Sequence, residues 1–196
     1  MLQTNYSGKL ECGVDEVGRG CLAGPVYAAA VVLPPDYYHK KLKDSKKMTA
    51  KAREEVYEDI YDKALSICIC SVPADKIDDV NILNATMIAM HAAIDGLSVR
   101  PEVILVDGNQ FKQYPNIQHE CIIKGDDKVT SIAAASVVAK VTRDRIMGEL
   151  SKIFPGYGWE SNKGYGTKVH IEALRSLGPT TEHRLTFIKS FINDSK

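Results

Sequence analysis

The chain has 196 residues, 44% of them hydrophobic and 26% charged, and its 25 basic and 25 acidic side chains leave no formal net charge. That balance excludes a disordered chain and a protein that coats nucleic acid through bulk charge, though not one with a local basic patch. No apolar run reaches the length of a membrane span, and "MLQTNYSGKL" at the start has no signal-peptide layout, so a cytoplasmic location is expected.

The first strand is expected over 10–17, "LECGVDEV", which ends on two adjacent acids, Asp15 and Glu16, before Gly18-Arg19-Gly20. Neighbouring side chains on a strand point to opposite faces, so both carboxylates serve one site only if the strand bends or ends just after Asp15. The glycines permit such an ending. A second strand follows over 26–33, "VYAAAVVL", stopped by Pro34 and Pro35.

Residues 39–53 carry seven Lys or Arg against one Asp. Such a run is ordinarily a solvated face; its functional reading is a grip on an anionic substrate. Thr49 caps a helix in which Ala52, Val56 and Ile60 recur every four residues. A third strand over 65–72, "LSICICSV", turns Cys68 and Cys70 to one face. With five cysteines and no C-x-x-C pair, buried reduced thiols are expected in place of zinc or a disulfide framework.

Residues 84–97 read as a helix with Met87, Met90, Ile94 and Leu97 on one face. "EVILVDGN", 102–109, reads as a central strand buried on both sides and ending at Asp107. "QHECIIKGDD", 118–127, repeats the design and ends on Asp126 and Asp127, either of which could instead cap the next helix. That helix, 129–147, contains Ala133-Ala134-Ala135-Ser136, small enough to bring its backbone close to a sheet. An irregular loop over 154–166 leads to helices over 167–178 and 181–192. The expected architecture is one α/β domain: a core sheet region over about 10–150 and a helical C-terminal portion over about 151–196.

Three strand-like stretches thus end in acids, where unpaired carboxylates are costly to desolvate. Sites in open α/β sheets form beyond the carboxyl ends of strands. An all-oxygen cluster suits Mg2+ or Mn2+, and two such ions can flank a phosphodiester.

"GVDEVGRGCLAGPV", "LKDSKKM", "NILNATMIAM", "VDGN", "KGDDKVTSIAAASVVAKVTRD" and the C-terminal "NKGYGTKVHIEAL…G…HR…F" together resemble the bacterial ribonuclease HII family from about residue 10 to 191. The resemblance implies an RNase H-like mixed sheet flanked by helices. It implies endonucleolytic cleavage of RNA in RNA–DNA hybrids and at single ribonucleotides in duplex DNA. It carries the catalytic, metal-binding acids to Asp15, Glu16, Asp107 and Asp126, with two divalent ions, Mg2+ or Mn2+, in the reactive complex. It places Gly18, Arg19 and Gly20 against the junction ribose, Tyr165 on the following deoxyribose, and Lys46 and Lys47 at phosphate or in support of the site. Asp144 also matches a family position; as a helix acid between Arg143 and Arg145 it reads as structural. His183 and Arg184 match the family's His-Arg, touching substrate or bracing the C-terminal helix. A monomer is expected, with RNA–DNA hybrid and ribonucleotide-containing duplex as partners.

Rival readings are a ribonuclease HIII-like hybrid nuclease, a proofreading-type exonuclease, a metal-independent ribonuclease using two histidines, and a non-catalytic binder. Ribonuclease HIII normally carries an extra N-terminal domain, for which only about a dozen residues precede the acids here. The exonuclease pattern is Asp-x-Glu, whereas these acids are adjacent, and a pure binder gains nothing from acids facing phosphate.

Overall fold

A computed structural model describes residues 2–192. Its strands are β1 (Glu11–Val17), β2 (Val26–Val32), β3 (Ser66–Val72), β4 (Val103–Asp107) and β5 (Gln118–Ile122). They form one mixed sheet in the order β3-β2-β1-β4-β5. β1 pairs antiparallel with β2 and parallel with β4, which is itself parallel to β5. Helices α1 (Ala50–Lys63), α2 (Ala74–Val80), α3 (Ile82–Asp95), α4 (Thr130–Ile153), α5 (Trp159–Asn162), α6 (Lys168–Leu177) and α7 (Leu185–Ile192) complete the chain. This is the α/β class expected, a mixed sheet flanked by helices with a helical C-terminal portion.

Alternation along the central strands divides the core between two faces. On one, Cys12, Val14, Ile104 and Val106 meet Met87, Met90 and Ile94 of α3. On the other, Ala29 and Val31 meet Val56 and Ile60 of α1 and the small residues of α4. Thr49 caps α1 as expected, its hydroxyl accepting from Ala52 N at 3.2 Å. The small residues of α4 serve close approach: a methyl on Gly13 of β1 would lie 2.0 Å from the Ser131 carbonyl carbon. β1 and the helix backbone are therefore in direct contact, which fixes what hangs from each.

β1 runs to Val17 as expected, still paired with β2, so it neither bends nor ends after Asp15 in the way that would bring both acids to one face. Several other expectations are corrected. β5 is a half-exposed edge strand, and Asp126 and Asp127 lie past its end in a 3-10 turn, Gly125–Asp127. Neither caps α4, whose N-cap position is Val129 without a side-chain bond. The loop over 154–166 contains α5, whose Trp159 is fully buried beside Met147, Leu174 and Ile188. The last helix starts at Leu185, where Asp78 accepts from the N–H groups of Leu185 and Thr186 at 2.6 and 3.0 Å. All five cysteines are free, but only Cys12 and Cys21 are buried. No helix among the described residues is long and apolar enough to cross a membrane.

Candidate metal centre

Carboxylate oxygens of Asp15, Asp107 and Asp126 lie within 4.8 Å of one another. Each comes from a different element. Val14 pairs with Val106 in the parallel β1–β4 ladder, so Asp15 and Asp107 follow side by side on the α4 face. The turn before α4 brings in Asp126, and its Gly125 N–H donates to Asp107 Oδ1 at 2.7 Å, joining turn to strand.

Three carboxylates this close oppose one another. Burial, then the charges of Glu16 and Asp107, push the Asp15 carboxyl well above the usual range, while the Ser136 hydroxyl and the Glu16 N–H work the other way. Burial, Asp107 and Asp44 push Asp126 up to about 6, with Lys46 opposing. Lys46 is the cation of the cluster. Burial disfavours its charge, yet Asp15, Asp126, Asp44 and Asp107 together raise its pKa. One ammonium cannot balance this many acids. A divalent cation can, and hard oxygen donors from three fixed elements suit Mg2+ or Mn2+.

Glu16 stands apart from the trio. Because β1 runs on, its side chain takes the α3 face and lines a cleft of about 230 Å3 with Arg19, Asp107 and Gly108. Burial raises its pKa, Arg19 lowers it and Asp107 raises it, so Asp107 is felt from both faces of the sheet. Arg19 Nη1 pairs with Glu16 at 3.1 Å. A larger concavity, about 960 Å3, runs along α3 and contains none of the three clustered acids.

The other expected residues fall around this centre. Lys46 and Lys47 occupy a 3-10 turn, Ser45–Lys47, pinned to α4 by Ser45 Oγ and Ser136 Oγ at 2.9 Å. Lys47 pairs with Asp127, which leaves Asp126 as the one of the two that joins Asp15 and Asp107. Tyr165 is 38% exposed and forms an isolated β-bridge with Cys21, one residue beyond Gly20. Gly18 adopts φ +92°, and a methyl there would lie 2.3 Å from Arg143 Nε. Gly20 differs: a methyl would meet nothing within 4 Å, so the fold does not require glycine there.

Asp144 does not pair with its sequence neighbours. It takes Lys140 at 2.8 Å, one helical turn back, and Arg145 reaches Glu54 and Glu58 on α1. His183 and Arg184 prove internal. His183 and His170 are buried with their Nε2 atoms 3.0 Å apart, so this pair offers no solvent-facing acid and base for a two-histidine mechanism. Arg143 is the residue that sequence reasoning missed, and Arg184, matched to the family's His-Arg, takes neither of the roles expected for it. Both are fully buried and hold main-chain carbonyls of the loop after β1.

A family model for ribonuclease HII matches residues 12–193. A ribonuclease HII from Cytophaga hutchinsonii is 52% identical over 188 residues, covering 95% of this chain and 93% of its own. Among solved structures, the ribonuclease H2 from Pyrococcus horikoshii aligns with a TM-score of 0.78 at 24% identity, covering 94% of this chain and 97% of that one. Bst-RNase HIII in complex with Mn2+ aligns with a TM-score of 0.69 at 19% identity, covering 95% of this chain and 70% of its own. These two likenesses show the RNase H-like fold; the relative at 52% identity separates ribonuclease HII from the HIII reading.

Proposed function

Because the chain belongs to the ribonuclease HII family, and so is a ribonuclease H acting on RNA–DNA hybrids, we propose that it also cuts 5′ of single ribonucleotides embedded in duplex DNA. The products are a 3′-hydroxyl and a 5′-phosphate. One observation carries the reading: three carboxylates from β1, β4 and the turn before α4 meet within 4.8 Å, next to a loop whose Gly20 is left open.

Two divalent cations, Mg2+ or Mn2+, would supply positive charge against the phosphodiester and lower the pKa of the attacking water. Asp15, Asp107 and Asp126 would hold them, with Glu16 contributing from the far side of Asp107. Lys46, already drawn in by the acids, balances charge at the scissile phosphate, and Lys47 on the same turn reaches the strand outside it. Gly18, Arg19 and Gly20 present backbone to the junction ribose, whose 2′-hydroxyl distinguishes RNA from DNA. Tyr165, bridged to this loop through Cys21, packs on the next sugar. We place this work in the cytoplasm, where chromosomal DNA lies.

The test is to incubate a duplex containing one ribonucleotide with the protein and Mg2+ or Mn2+, then map the ends. Cleavage that persists in excess chelator, or a 2′,3′-cyclic phosphate product, would overturn the mechanism.

A further inference from the structure

Arg184 is fully buried, and each hydrogen bond of its side chain ends on a main-chain carbonyl. Nη2 donates to Gly18 O at 2.7 Å and Gly24 O at 2.8 Å, Nη1 to Arg19 O at 2.8 Å, and Nε to Gly24 O at 3.1 Å. Arg143, also fully buried, holds Ala23 O and Pro25 O of the same loop. Two buried like charges around one loop are a poor choice for stability alone, since apolar groups in such places are commonly as good or better.

The arrangement does set where the loop's amides point. No peptide bond among the described residues is cis. In a trans peptide the C=O of one residue and the N–H of the next point in opposite directions. Drawing Gly18 O and Arg19 O inward therefore turns the N–H groups of Arg19 and Gly20 outward. Both residues are exposed, and among the described residues neither N–H meets an acceptor. Two consecutive outward N–H groups with a buried cation behind them make a receptor for an oxygen acceptor.

We propose that Arg184 is a positioning residue for cleavage: by fixing the Gly18 and Arg19 carbonyls it aims the Arg19 and Gly20 amides at the sugar–phosphate of the ribonucleotide. The inference rests on the reading of the loop given above. It assigns Arg184 no contact with substrate.

Arg184→Lys keeps the charge but loses the planar fork that reaches three carbonyls. Arg184→Ala opens a space that free guanidinium can refill. Rates are compared, below the melting temperature of each variant, on a duplex with one ribonucleotide and on a hybrid with an all-RNA strand. Arg184→Lys is expected to lose about tenfold or more in kcat/KM on the single-ribonucleotide duplex, in keeping with loss of aimed donors, and distinctly less on the hybrid. Sub-denaturing guanidinium chloride, but not sodium chloride, should restore part of the rate of Arg184→Ala. Equal losses on both substrates that track the folded fraction would make Arg184 structural only and overturn the proposal, as would no loss at all. If Arg184→Ala does not fold, the substrate ratio of Arg184→Lys decides. Gly20→Ala is measured alongside. If it loses single-ribonucleotide cleavage while Arg184→Lys keeps the parental ratio, the inference fails and the loop reading stands. If Gly20→Ala cuts like the parent, the loop reading falls and takes the inference with it.

Discussion

Gly18 and Gly20 are two residues apart, yet alanine at each should do opposite things. At Gly18 the backbone is left-handed, φ +92°, and a methyl would lie 2.3 Å from Arg143 Nε. Left-handed backbone costs an alanine about 1–2 kcal/mol, and overpacking a filled site adds about 1–3 kcal/mol. The sum, about 2–5 kcal/mol, corresponds to a fall in Tm of about 4–20 °C for a chain of this size. At Gly20 nothing lies within 4 Å of the added methyl and φ is not left-handed, so stability should stay within about 0.5 kcal/mol of the parent. The proposed substrate pose, however, puts the ribose where that methyl would go. Thermal unfolding by circular dichroism, paired with initial cleavage rates on a single-ribonucleotide duplex, separates the two. Gly18→Ala should lose Tm; Gly20→Ala should keep Tm and lose about tenfold or more in rate. Parental rates from Gly20→Ala would reduce the loop to a turn, and a Tm loss like that of Gly18→Ala would show the site is not open.

Asp15→Asn removes a charge that burial, Glu16 and Asp107 all oppose. In chelator it should melt above the parent, while in saturating Mg2+ its cleavage falls about 100-fold or more, given that even groups which only orient ligands are worth about 10–100-fold; a lower Tm would mean the carboxylate is not strained. Asp126→Asn should lose about as much activity, and Asp127→Asn far less, because Asp127 pairs with the exposed Lys47 in a solvent-screened contact; the reverse order in steady-state rates would exchange the two roles. Burial and His170 lower the His183 pKa to about 4, so between about pH 6.5 and 4 the unfolded chain binds the proton that the native chain refuses. Stability from this ring is complete above pH 6.5 and lost as pH falls, by about 3 kcal/mol in all. The acids of the metal centre pull the opposite way, so urea unfolding from pH 7.5 to 4.5 should be read as the difference between parent and His183→Gln; identical slopes would show that the ring is not held neutral.

The central strands were legible because "VYAAAVV" and "VILV" are unbroken apolar runs, as strands covered on both faces must be. β5 was harder: alternate exposure marks an edge, and its acids lie in the following turn, not at the strand tip. α2 escaped notice because "ADKIDDV" is seven residues long and mostly polar, with Ala74 and Ile77 its buried residues. Among the site residues, the acids announced themselves by position, but the arginines did not, since an arginine in a helix ordinarily reads as surface. For Arg143 a signal existed. It stands four residues after Ala139 and four before Met147, in line with the buried stripe of α4. Arg184 is marked by the His-Arg pair of the resemblance, but no apolar stripe announces its burial, which follows from three carbonyls of a loop about 160 residues away in sequence.

The adjacency of Asp15 and Glu16 has a geometric explanation in the unequal lengths of β1 and β4. The parallel ladder between them closes at Val14 and Val106, and β4 ends at Asp107, where Gly108 turns the chain away at φ +97°. β1 continues beside β2 for three more residues, so past Val14 it has a neighbour on one side only. Asp15 faces α4 and meets Asp107 on that face. Glu16 faces α3 and reaches the end of β4, where Asp107 still influences it. Two acids at i and i+2 would crowd one face and leave the other bare. Adjacent acids instead bracket Asp107 from both faces, so Asp107 would contribute to cation binding on either side of the sheet. On that reasoning Asp107→Asn should cost more than Glu16→Gln, and competition of Mn2+ for the site, followed by its paramagnetic signal in each variant, would test the order; a weaker effect at Asp107 would remove it from the shared position.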